Sequence, residues 1–104
     1  MRRYNAVNEQ SAMYDEDDPP MANVVIYTTS LCPFCFRAKR LLEKKGARFE
    51  EISVDGDPDE RAAMQERSGR HTVPQIFIGD RHVGGFDDLA ELDMDGELDE
   101  LLAS

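Results

Sequence analysis

The sequence is poor in the residues on which several classes of small protein depend. It has no tryptophan, two histidines and two cysteines in 104 residues, and both cysteines fall in one Cys-x-x-Cys unit, Cys32 to Cys35. A small secreted domain held together by disulfides carries more cysteines, spread along the chain. We therefore predict a cytoplasmic protein, in which the two thiols serve chemistry and not stability.

Positive charge is also scarce, because 12 Lys and Arg residues face 22 Asp and Glu residues, giving a formal net charge of -10. Nucleic-acid-binding domains are normally basic, and anionic lipid surfaces repel an acidic protein, so neither partner is expected. No apolar run approaches the roughly 18 residues of a membrane span. Polar residues follow Arg2 and Arg3, where a secretory signal would be apolar. Self-repulsion favours a soluble monomer.

Residues 1–20 differ in composition from the rest of the chain. They show no apolar periodicity, and they end in the acidic and proline-rich run at 15–20. This composition predicts a flexible, solvated N-terminal tail, with a partner-docking arm or an acidic lid near the site as alternatives. The ordered pattern begins at Met21, where translation could also start. We predict one domain over 21–104.

The apolar pattern of 21–104 alternates between the periods of strands and helices. Strands are predicted where β-branched and aromatic residues cluster, and helices where proline or aspartate can open a turn and glycine can end it. The predicted order β-α-β-α-β-β-α has strands at 24–27, 49–54, 75–78 and 81–83, helices at 33–45 and 58–69, a third helix capped by Asp87 or Asp88, and a short turn after Gly96. A mixed four-stranded sheet with helices on both faces would bury these runs, which makes the fold α/β.

The Cys-x-x-Cys unit lies between the first predicted strand and the first predicted helix. A free cysteine has a pKa of about 8.5, which a helix N-terminus lowers. Cys32, just before Pro33, is therefore predicted to be the nucleophilic thiolate, while Cys35 lies one turn later on the apolar face. The spacing allows a disulfide between them, so that Cys32 can attack a target disulfide and Cys35 can attack the resulting mixed disulfide.

Two alternative interpretations of the cysteine pair are a pair of buried thiols that meet by chance and half of a structural zinc site. Such a site needs four ligands, and the other candidates are His71 and His82. Their spacing fits no compact metal-binding motif, so no metal site is predicted.

Four segments of the sequence together resemble the glutaredoxin family, of the dithiol kind. They are residues 26–28, 32–35, 72–79 and 84–89, which follow the family's order and spacing between residues 22 and 102. The resemblance implies a thioredoxin-like fold, glutathione-dependent disulfide oxidoreductase activity, glutathione as a co-substrate and no permanently bound cofactor.

The resemblance also implies where glutathione would bind. The main chain of Val73, after Thr72 and before a cis Pro74, would pair with its cysteinyl unit as a short antiparallel strand. Phe34, where the family usually has tyrosine, would form an aromatic wall beside Cys32.

The two charged ends of glutathione would need separate partners. Gly85 and Phe86 precede a helix start whose amides suit the γ-glutamyl carboxylate, and Asp87 and Asp88 could pair the ammonium or serve only as caps.

The glycine carboxylate would need a cation or a polar donor. This sequence has Thr29 where many family members carry lysine. Arg61 is predicted to bind the glycine carboxylate instead; Arg70 and His71 are weaker candidates, and each could simply be a solvated surface residue.

The implied reaction takes glutathione from glutathionylated proteins or small mixed disulfides through Cys32, and reduces protein disulfides through Cys32 and Cys35. Glutathione reductase would act indirectly, by regenerating glutathione. Two alternatives are recharging by thioredoxin reductase, which the segment 85–88 disfavours, and a [2Fe–2S] carrier dimer. That second role is associated with a single-cysteine motif containing glycine and serine, so Pro33 and Cys35 disfavour it.

Overall fold

Eight elements follow one another along residues 22–103, the part of the chain that the computed structural model describes. They are β1 (Val24–Thr28), α1 (Pro33–Lys44), β2 (Glu50–Ser53), α2 (Pro58–Ser68), β3 (Gln75–Ile78), β4 (Arg81–Gly84), α3 (Phe86–Asp95) and α4 (Glu97–Ala103). No helix in this part of the chain is long and apolar enough to cross a membrane. The predicted tail at 1–20 lies outside the described residues.

The four strands form one mixed sheet in the order β2-β1-β3-β4. The pair β1 and β2 is parallel, whereas β1 with β3 and β3 with β4 are antiparallel. Every residue of β1 is buried, as expected for a central strand covered on both faces. The predicted thioredoxin-like fold is confirmed, and it places Cys32 just beyond the end of this central strand.

Two apolar cores lie on opposite faces of the sheet, because successive strand residues point to opposite sides. On one face, Val24 and Ile26 of β1 pack with residues of α1, α3 and α4. On the other face, Val25 and Tyr27 pack with Met64 of α2. The prediction of helices on both faces is therefore correct.

The structure corrects the predicted start of α3. Its N-cap is Gly85, and neither Asp87 nor Asp88 occupies that position. The Asp88 carboxylate lies in the first turn and reaches back to accept a hydrogen bond from the Gly85 N–H at 3.0 Å. After Gly96 the chain forms a further helix, α4, where only a short turn was predicted. Strand β2 is also shorter than predicted.

Two sets of contacts involve the C-terminal helices: a hydrogen bond joins the two ends of the described chain, and ion pairs join the end of α1 to α3 and α4. The Ala22 N–H donates to the Leu102 carbonyl at 2.9 Å. The Lys45 ammonium, just past α1, forms ion pairs with Asp93 at 2.6 Å and Asp99 at 3.1 Å. Hydrogen bonds from Lys45 to these carboxylates raise its pKa above the ordinary value. These contacts lie at the end of the sheet opposite Cys32, since Ala22 precedes β1 and Cys32 follows it.

Candidate active site

Cys32 is the N-cap of α1, as its place before Pro33 predicts. Its Sγ accepts a hydrogen bond from the Cys35 N–H at 3.0 Å, and the two cysteines are joined in a disulfide. Cys32 is half-buried, whereas Cys35 is 1% exposed. After reduction, the main-chain N–H and the positive end of the helix dipole favour the Cys32 thiolate. Only Cys32 is open to an incoming substrate.

The loop before Cys32 is anchored to Asp55, two residues after the end of the neighbouring strand β2. The Ser30 N–H donates to Asp55 Oδ2 at 2.6 Å. Hydrogen bonds from the Ser30 hydroxyl and main chain hold the pKa of Asp55 below its ordinary value, and the positive charge of Arg61 acts in the same direction. Asp55 therefore stays ionised at neutral pH and fixes the loop that carries Cys32.

The segment facing Cys32 presents its main chain to the sulfur. The Val73–Pro74 peptide bond is cis, as the resemblance implies, and Cys32 Sγ lies 3.8 Å from the Val73 carbonyl oxygen. Within residues 22–103 the Val73 N–H donates no hydrogen bond. An extended ligand can therefore pair with this residue as a short added strand.

A groove of about 200 Å³ runs from this segment to the start of α3. It is lined by Phe34, Arg70, Thr72, Val73, Pro74, Gly85, Phe86, Asp87 and Asp88. The structure thus brings together the residues predicted to contact glutathione except Arg61, which lies on α2, and the weaker candidate His71, since neither of these two lines the groove.

Aromatic rings form one wall of the groove. The Phe34 and Phe86 rings stack with their centroids 6.3 Å apart. The Arg37 guanidinium lies over the Phe34 ring, 5.4 Å from its centroid. Phe34 remains 49% exposed, so the ring is available to a bound molecule.

An ion pair between Arg70 and Asp88 closes the far end of the groove. Arg70 Nη1 lies 3.3 Å from Asp88 Oδ2. The Gly85 N–H bond, together with Arg70, holds the pKa of Asp88 below its ordinary value, so the carboxylate is charged at neutral pH. Sequence reasoning ranked Arg70 below Arg61 as a partner for the glycine carboxylate, whereas the structure places Arg70 in the groove lining beside Asp88 and leaves Arg61 outside it.

A series of hydrogen bonds through the buried Gln75 lies behind the groove, and it was not predicted from the sequence. Gln75 is completely buried, and its Nε2 lies 3.0 Å from the Thr72 carbonyl and 3.3 Å from the Thr72 hydroxyl. His82 Nε2 lies 2.7 Å from Gln75 Oε1. A glutamine among apolar strand residues was the available signal, since a buried amide requires partners.

Within residues 22–103, no three His, Cys, Asp or Glu residues are grouped so as to hold a metal ion.

Comparisons with known proteins agree with this geometry. The family model described as Glutaredoxin matches residues 24–83. The glutaredoxin of Pseudomonas aeruginosa is 55% identical over 84 residues, which are 81% of this chain and 100% of that protein. Glutaredoxin 3 of Escherichia coli strain K12 is 57% identical over 82 residues, 79% of this chain and 99% of that protein.

A solved structure of a complex is also similar. The crystal structure of the buckwheat glutaredoxin-glutathione complex superposes with a TM-score of 0.71 at 36% identity, covering 78% of this chain and 76% of that one. The similarity extends over the fold that carries the cysteine pair and the groove.

Proposed function

Because the chain belongs to the glutaredoxin family, we propose that it removes glutathione from glutathionylated proteins and small mixed disulfides, and that it reduces protein disulfides. The general role, a thiol–disulfide oxidoreductase, follows from the family and from the Cys32–Cys35 disulfide. The observation that carries the specific proposal is the groove, which begins at the free main chain of Val73 opposite the sulfur and ends at the charged pair of Arg70 and Asp88.

The groove suits glutathione along its length. The Val73 main chain can pair with the cysteinyl unit, which sets the glutathione sulfur against Cys32. The first N–H groups of α3 can bind the γ-glutamyl carboxylate, with the Arg70 guanidinium close by. Asp88 can bind the ammonium of the same unit. The glutathione bound to the similar buckwheat protein supports this assignment. A role for Arg61 at the glycine carboxylate stays a prediction.

The proposed reaction consists of two thiol–disulfide exchanges. The Cys32 thiolate attacks the glutathione sulfur of a mixed disulfide, so that a bond forms between these sulfurs and the target leaves as a thiolate. A second glutathione thiolate then attacks the bound glutathione sulfur, which releases glutathione disulfide and restores the Cys32 thiolate. Glutathione reductase would return the disulfide to glutathione. This route needs one protein thiol.

Protein disulfides require the second cysteine. Attack by Cys32 on a protein disulfide leaves the two proteins joined through Cys32. The Cys35 sulfur, held one helical turn away, can displace the partner and form the Cys32–Cys35 disulfide. Burial of Cys35 keeps it from competing for substrates. A monomeric state and a cytoplasmic location stay predictions from the sequence.

Two cysteine variants test the proposal in an assay coupled to glutathione and glutathione reductase. Cys32→Ser should abolish reduction of both a small glutathionyl mixed disulfide and a protein disulfide. Cys35→Ser is the matched control, which should still reduce the mixed disulfide and lose activity on the protein disulfide. Activity of Cys32→Ser on either substrate would contradict the mechanism. Lack of turnover by the unmodified protein with glutathione would contradict the substrate.

A further inference from the structure

We propose that His82 is a positioning residue for the groove, acting through the buried amide of Gln75 on the segment of Thr72 and Val73. The inference rests on the proposed function, because it concerns how the groove holds the glutathionyl unit. His82 belongs to β4 and does not line the groove. It reaches the groove by two consecutive hydrogen bonds, of 2.7 Å to Gln75 and 3.0 Å from Gln75 to Thr72.

The direction of each hydrogen bond follows from the chemistry of the groups. The Thr72 main-chain carbonyl can only accept, so the Gln75 amide nitrogen must face it. The Gln75 amide oxygen therefore faces His82, and an oxygen also only accepts. His82 Nε2 must then carry the hydrogen. The Thr72 carbonyl therefore determines which way the Gln75 amide faces and which nitrogen of His82 carries the hydrogen. Through the same two hydrogen bonds, the imidazole holds the Gln75 amide in the orientation that contacts Thr72 in the groove wall.

Burial gives the His82 contact its importance. Gln75 is 0% exposed, so water cannot replace a lost partner. An amide oxygen left unpaired in this position would have to turn toward another donor. Such a turn would remove the Gln75 N–H groups from the Thr72 carbonyl and hydroxyl. The main chain beside Val73 would then lose the contact that holds it opposite Cys32.

The hydrogen bond from His82 to Gln75 does not depend on whether the imidazole is neutral or protonated. The imidazole packs against the Phe77 ring with centroids 4.9 Å apart. Burial and the positive charges of Arg70 and Arg67 lower the pKa of His82, while the Asp88 carboxylate opposes them. The imidazole is therefore neutral at pH 7. Because Nε2 carries a hydrogen in the imidazolium and in the required neutral tautomer, titration does not break the bond to Gln75.

A positioning role makes a prediction that a chemical role does not. His82 would affect how tightly the groove binds the glutathionyl unit, and it would leave the reactivity of the Cys32 thiol unchanged. Loss of His82 should therefore raise KM for a glutathionyl mixed disulfide with little change in kcat. The rate of alkylation of reduced Cys32 by iodoacetamide, and the pH dependence of that rate, should stay as in the unmodified protein.

The test compares His82→Leu with His82→Gln, whose amide nitrogen can take the place of the imidazole Nε2–H. His82→Leu should raise KM about fivefold, the effect of one neutral hydrogen bond. His82→Gln should restore KM to within about twofold of the unmodified protein, since the bond is made again. Arg81→Gln, at an exposed position of the same strand, is the control and should leave KM unchanged.

A second variant tests the route through Gln75 and covers the case of a poorly folded His82→Leu. Gln75→Leu should raise KM to a similar extent, and the double variant should be no worse than either single one, because both remove the same contact. Unchanged KM in His82→Leu, or equal impairment in His82→Gln, would overturn the inference while the proposed function stands. Absence of turnover in the unmodified protein would overturn the proposed function, and the inference with it.

Discussion

Gly84 lies at the point where the sheet meets the groove, and replacing it with alanine should disturb the Asp88 carboxylate. Gly84 has φ +116, a conformation that L residues rarely adopt. A Cβ built at this position would overlap Asp88 Oδ2 and would lie 3.1 Å from Arg70 Nη1. The side chain of Asp88 would have to move away, and its hydrogen bond from the Gly85 N–H, now 3.0 Å, would break.

The expected loss of stability combines two effects. Holding alanine at this positive φ costs about 1–3 kcal/mol. The lost hydrogen bond to a charged acceptor adds roughly 1 kcal/mol, discounted because Asp88 is partly exposed. Gly46→Ala is the matched control, since Gly46 also has a positive φ, +73, and nothing lies within 4 Å of its added Cβ. That control should cost about 1–2 kcal/mol, so Gly84→Ala should be less stable than the control by roughly 1 kcal/mol or more.

Urea unfolding at two pH values can separate these effects. The folded-state pKa of Asp88 is lowered, so its stabilising contribution is present above the unfolded-state pKa of about 3.9 and is lost as pH falls through the folded-state value. The difference in unfolding free energy between the unmodified protein and Gly84→Ala should therefore be largest at pH 7 and should narrow below pH of about 4. A difference that equals the Gly46→Ala control at pH 7, or that does not change in acid, would refute the reasoning.

Two further predictions concern charged residues. Arg70→Gln should raise KM for a glutathionyl mixed disulfide about fivefold, as for the loss of about 1 kcal/mol at an exposed ionic contact, because Arg70 lines the groove. Arg61→Gln should raise KM less in the same steady-state assay. A larger increase in KM for Arg61→Gln than for Arg70→Gln would instead support the sequence-based ranking, which placed Arg61 first. Lys45→Gln should lower the thermal midpoint, because two ion pairs are lost, and Lys44→Gln should not. Salt screens exposed charges, so the Lys45→Gln effect should shrink in 1 M NaCl, and an effect that persists would exclude an ionic origin.

The sequence was most informative where local rules determine the structure. The apolar run of β1 predicts a central strand, and Pro33 together with Gly46 predicts the limits of α1 to within one or two residues. These signals depend on neighbours along the chain, and they place Cys32 at the helix N-cap without any knowledge of tertiary contacts. For this reason the reactive cysteine could be assigned from the sequence.

The parts that sequence reasoning missed depend on contacts between distant segments. Asp87 or Asp88 was predicted to cap α3, yet Gly85 is the N-cap and the Asp88 side chain reaches it from the first turn. The pairing of Arg70 with Asp88 spans two strands and cannot be read from periodicity. His82 was weighed only as a metal ligand, because its bond to Gln75 depends on the register of the β3–β4 hairpin, which contains an irregularity between Ile76 and Phe77.

The hydrogen bond between Ala22 and Leu102 means that the described chain nearly closes into a ring. A short linker joining these residues could be combined with new termini at the exposed hairpin turn of Gly79 and Asp80, which makes a circular permutant possible. The Gly79 N–H donates a hydrogen bond to the Asn23 carbonyl. Both the linker and the new termini would therefore lie at the end of the sheet that is farther from the Cys32 sulfur. The permuted chain should therefore keep its activity although its strands follow one another in a different order along the sequence. The reason is that the site depends on how the folded segments pack together and not on the order in which the chain connects them.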